Sequence, residues 1–108
     1  MEENEKDWKL KLRYGKLKTP YKHFTILAEG EVDELDGGFE CPKGNAFMGM
    51  KIWAKSIEGS SDVYQSIAEQ IGFKITGNLD IFDSAPEQPP SENPSGYDIN
   101  FTPFQKDS

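Results

Sequence analysis

The chain has 108 residues and a mass of 12.2 kDa, with 35% hydrophobic, 29% charged and 12% aromatic residues, a formal net charge of -7, one Cys and one His. That length holds one hydrophobic core, and the aromatic content speaks against disorder despite a mean hydropathy of -0.70. No apolar run approaches the ~20 residues of a membrane helix, the acidic start Met-Glu-Glu-Asn-Glu-Lys-Asp is unlike a signal peptide, and one cysteine makes no internal disulfide, so a cytoplasmic protein away from membranes is expected.

Residues 1–7 read as a mobile acidic head, 8–104 as one domain and 105–108 as a flexible tail. Trp8 to Tyr14 alternates strictly, with Trp8, Leu10, Leu12 and Tyr14 on one face and Lys9, Lys11 and Arg13 on the other, which predicts a strand. Tyr21 to Val32 reads as a second strand with Phe24, Ile26 and Ala28 on its inner side. Asp36-Gly37-Gly38 is a turn signal that would fold residues 31–41 into a hairpin of their own. A third strand is expected over Ala46 to Ile57, with Met48, Met50, Ile52 and Ala54 inward and Phe47, Lys51, Trp53 and Lys55 outward. A helix over about 61–72 follows, capped by Ser60 or Ser61 and closed by Gly72, with Val63, Tyr64, Ile67, Ala68 and Ile71 on one stripe. Phe73 to Asp83 alternates again, with Phe82 out of phase. The Pro-rich segment 84–96 reads as a loop between two strands able to pair as neighbours, and Tyr97 to Phe101 is the last strand. The sum is an α+β domain, a mainly antiparallel sheet of about five strands with one helix on one face.

Charge is segregated along the chain. Residues 8–28 hold six bases and no acid, and residues 29–40 hold six acids and no base. Two readings are open: the blocks neutralise each other across neighbouring strands, or one of them forms a single-signed surface that steers a partner. The outward aromatics Phe47, Trp53 and Phe82 are ambiguous in the same way. A loop or sheet closure buries them, or they form an exposed patch of the kind that marks interfaces. The Pro-rich loop fits either a binding loop or a plain spacer.

Catalytic signals are weak. His23 and Cys41 would serve a nucleophilic mechanism only if folding brings them together beside a cleft. The sequence holds no CxxC or HxxH spacing, calcium loop, phosphate loop or nucleophile elbow, so neither a cofactor nor a metal is expected. The leading expectation is a non-catalytic protein-binding module of the neutralising, immunity-type or adaptor kind, an analogy of size and charge alone. It would meet a basic surface with the acidic patch Glu29, Glu31, Asp33, Glu34 and Asp36, helped by Phe47, Lys51, Trp53 and Lys55 on the sheet face. The rival is an open sheet that binds a ligand or single-stranded nucleic acid through Lys9, Lys11, Arg13, Phe47, Lys51 and Trp53. Net acidity disfavours nucleic acid as a partner. A homodimer formed through the uncovered sheet face is the third expectation.

Overall fold

A computed structural model describes residues 19–90 and 93–105. Its elements are β1 (Lys22–Val32), β2 (Gly44–Ala54), α1 (Ile57–Ile71), β3 (Phe73–Asp83) and β4 (Ser95–Pro103). The expected α+β architecture is present, with four strands rather than five among the described residues. The strand expected over 8–14 and the mobile segments expected at 1–7 and 106–108 lie outside the described residues.

The strands lie in the order β3-β1-β2-β4, and every neighbouring pair is antiparallel. β1 and β2 form the central hairpin, in register from Lys22↔Ala54 to Val32↔Gly44. α1 then carries the chain across β1, so that β3 lands on the far side of β1 and β4 on the far side of β2. Among the described residues β3 and β4 are therefore opposite edges and do not pair, which corrects the expectation that they could pair as neighbours. The connection between them crosses the width of the sheet, roughly 14 Å over three strand spacings, and this explains its length.

Alternation gives the sheet one apolar face. Phe24, Ile26, Ala28 and Val32 of β1 and Ala46, Met48, Met50, Ile52 and Ala54 of β2 are buried there against Tyr64, Ala68 and Ile71 of α1 and against Phe73. The ring of Phe73 lies over Gly30, where a Cβ would come within 2.4 Å of it. Val63 and Ile67 complete the expected helical stripe, and Leu35, Phe39 and Cys41 cover the core from the β1–β2 connection.

Two local expectations are corrected. The helix begins a turn early, because Ser56 is its cap and accepts the Gly59 N–H at 3.0 Å; Ser60 lies inside the helix and donates to the Ile57 carbonyl. Gly72 ends the helix as expected, in the left-handed conformation at φ 91. Gly37 and Gly38 do form a turn, at φ 80 and 82, but residues 31–41 are not a separate hairpin. The segment beyond Val32 is held instead to the helix end, where the Asp36 N–H donates to the Ile71 carbonyl at 2.9 Å.

Candidate functional site

The sheet face turned away from α1 carries the outward residues of all four strands, and it divides into a covered and an open part. At the covered end, His23 of β1 stands opposite Trp53 of β2. Both are buried, at 7% and 3% exposure, and their rings meet edge to face at 5.0 Å. Their cover is the Pro-rich connection, whose first residues fold back over the sheet end. The indole N–H of Trp53 donates to the Gln88 carbonyl at 2.9 Å. The Tyr97 hydroxyl accepts the N–H groups of Glu87 and Gln88 at 2.8 and 3.2 Å and lies 2.6 Å from His23 Nε2.

On the other side of the imidazole, Nδ1 lies 3.0 Å from the Ser84 carbonyl and 2.9 Å from Ser84 Oγ, which accepts from the Thr25 hydroxyl at 2.7 Å. The Ser84 carbonyl can only accept, and Tyr97 Oη already accepts two loop amides, so a proton on Nδ1 with Nε2 accepting from Tyr97 is the assignment that suits both sides of the ring. Burial lowers the pKa of His23 from its ordinary value; the Ser84 carbonyl opposes that shift, Lys51 adds to it and Glu87 opposes it. A neutral imidazole, protonated on Nδ1, is thus the form this site holds.

The middle of the face is open. Leu27 is 37% exposed and Phe82 51%. They belong to adjoining strands, because Thr25 is opposite Phe82 and Leu27 is opposite Asp80. Lys51 is paired with Asp98 at 2.9 Å, and that bond raises the Lys51 pKa. Phe47 stacks on Phe104 with centroids 4.7 Å apart. Lys55 is exposed, its ammonium 6.0 Å from the Tyr21 ring centre. Of the four sheet-face residues singled out in the sequence, Trp53 is covered, Phe47 and Lys51 are half-buried and partnered, and Lys55 stands apart. Phe82 is outward, as its phase implied, and Leu27 joins it. Leu27 was legible, since an inward Phe24, Ile26 and Ala28 forces it outward. The parts of Ser84 and Tyr97 were not, because they depend on the path of the loop.

The acidic residues occupy one end of the molecule. Glu29 and Glu31 follow Leu27 along the outer face of β1, with Glu31 opposite Lys74; Asp33 follows β1, and the backbone of Glu34 and Asp36 lies against the C-terminal end of α1. Glu31, Asp33, Glu34 and Asp36 are exposed and Glu29 is half-buried. Among the described residues, Asp33 pairs with Lys43 at 3.3 Å, and Glu31, Glu34 and Asp36 form no ion pair. The last turn of α1 holds no base.

Cys41 is half-buried in the connection before Gly44 and packs against the core, whereas His23 is level with Trp53. Nine residues of β2 separate those two ends, roughly 30 Å at the usual rise per residue, so the two are not paired. Among the described residues no group of three or more His, Cys, Asp or Glu is placed to hold a metal, and no helix is long and apolar enough to cross a membrane. No protein-family model, curated protein or solved structure matches the chain.

Proposed function

We propose that this protein is a non-catalytic binding module for a basic protein surface, with the acidic end as its recognition element and the Leu27–Phe82 patch as its apolar anchor. The observation that carries this reading is the placing of Glu34 and Asp36 beside the C-terminus of α1. That end of a helix already bears partial negative charge, and bases are the residues that stabilise it. Carboxylates gain nothing from that end of a helix, which supports a use for them outside the fold. Such charge speeds association and sets specificity, while buried apolar side chains supply most of the affinity.

The nucleic-acid alternative draws no support from Phe47 and Trp53, the two aromatics expected to carry it. Trp53 lies beneath the loop, Phe47 is stacked on Phe104, and neither ring is free to take a base.

The test uses the full chain as bait beside two variants, Glu31→Gln/Asp33→Asn/Glu34→Gln/Asp36→Asn and Leu27→Ser/Phe82→Ser, with quantitative mass spectrometry at 50 and 300 mM salt. The expected partner is basic, is weakened at least tenfold by the first variant and by added salt, and is lost with the second. Captured proteins without basic bias, bound equally by all three baits and indifferent to salt, would overturn the proposal.

A further inference from the structure

We propose that residues 84–90 form a pH-operated latch on the outer sheet face, closed while His23 is neutral and opened when a proton is added to its Nε2. The argument is a count of hydrogens around one oxygen. A phenol oxygen offers one hydrogen and two lone pairs. In the closed latch both lone pairs of Tyr97 accept loop amides, from Glu87 and Gln88, and the hydroxyl hydrogen is given to His23 Nε2. The imidazole is equally committed, since its one hydrogen sits on Nδ1 against the Ser84 carbonyl. The phenol, both loop amides and both ring nitrogens are partnered at once in this arrangement, and Ser84 Oγ accepts from Thr25.

A proton on Nε2 turns that acceptor into a donor. Tyr97 Oη then faces three donors with two lone pairs, and its own hydrogen loses its acceptor. The bonds able to give way are those to the loop amides, because β1 and β4 are fixed by their ladders. Releasing Glu87 and Gln88 also frees the Gln88 carbonyl from the indole of Trp53. The opened state exposes Trp53 and an imidazolium beside Leu27 and Phe82, so the outer face becomes larger, more apolar and less acidic.

The charges around the latch come from every element on that face. β2 contributes Lys51, β4 contributes Asp98 paired to it, and Tyr97 of β4 is the phenol at the centre. The loop contributes Glu87, whereas Lys22 and Asp83, the sequence neighbours of His23 and Ser84, have the inward phase of Ala54 and Phe24 and belong to the other face. α1 lies on the opposite face. Burial and Lys51 disfavour the charged imidazole, and the Ser84 carbonyl and Glu87 only partly offset them.

The closed state therefore takes up the proton less readily than the open one, in which burial no longer holds His23 below the ordinary imidazole range. Closure is most favoured above that range. Below that, and down to the lowered value of the closed state, linkage of one proton raises the open-to-closed ratio by up to about tenfold per pH unit.

His23 is the single histidine of the chain, which makes the titration readable in the intact protein. Nitrogen-15 NMR of the full chain at pH 7.5 is expected to show the Nδ1–H tautomer. Hydrogen-exchange protection of the Glu87 and Gln88 amides and of the Trp53 indole is expected to fall with the titration of His23, by up to about tenfold per pH unit. The central amides of Ile26 and Met50 should hold their protection over the same range. Tyr97→Phe should leave the latch open with a flat pH profile. An Nε2–H tautomer, loop protection that is constant while His23 titrates, loss of central protection in parallel with the loop, or a wild-type profile in Tyr97→Phe would each overturn the proposal. Should Tyr97→Phe not fold, the wild-type titration decides alone. None of these readouts involves a partner, so the latch stands or falls separately from the binding function.

Discussion

Tyr64 ties the helix to the sheet through one hydrogen. Its ring is wholly buried, and its hydroxyl donates to the Met48 carbonyl at 2.7 Å. Tyr64→Phe removes that bond with little change of shape, and a loss of about 1 kcal/mol is expected, read from the urea midpoint at unchanged slope. Burial also pushes the Tyr64 phenol far above its usual range. The sign follows directly: the unfolded chain ionises near pH 10 and the folded one later, so this contribution is complete below about pH 10 and declines as the pH rises beyond it. The same variant should flatten the alkaline limb of the stability profile. Position 64 was legible as core from helical spacing alone. Trp53 shows where residue-level reading stops: alternation turned it outward correctly, but its cover comes from a connection 35 positions along the chain.

At the scale of elements, the helix was found and its start misplaced. Ser60-Ser61-Asp62 resembles a cap, yet the cap is Ser56, where the backbone is extended at φ -151, ψ 169 and the side chain meets Gly59. Ser56→Ala is expected to cost about 1 kcal/mol in thermal or urea unfolding, while Ser61→Ala should cost a few tenths at most. Choosing between such candidates requires knowing where β2 ends, and that is set by pairing with β1, a contact between distant residues. β3 shows the opposite case. Its bounds, Phe73 to Asp83, were legible because Gly72 fixes its start and alternation runs from Phe73 to Ile81, although the bulge in its pairing with β1 was not. The β1–β2 connection lies between these extremes. Its glycine turn was readable, whereas the bond from Asp36 to the helix end depends on where α1 finishes.

At the scale of the molecule, net charge was readable from composition and its address was not. Glu34 and Asp36 end up beside a helix C-terminus only because α1 returns to the end of the sheet where the central hairpin turns. Glu34→Gln and Asp36→Asn should therefore each raise stability by a few tenths of a kcal/mol at low ionic strength, and the gain should vanish near 0.5 M NaCl. Thermal unfolding at the two salt concentrations checks this. Strand order was equally beyond reach of the sequence. Pattern and turn signals define strands, but the crossing made by α1 decides which of them become edges.

The interior position of β1 and β2 has a consequence for assembly. Residues 22–83 hold the central hairpin, the helix that backs it and one flanking strand, and none of the pairings among those strands needs β4. β4 is joined to them by a long tether, and its docking closes a wide loop at an entropic cost that rises only slowly with tether length. The proline-rich tether thus bears on how the last strand is recruited as well as on the surface of the finished molecule.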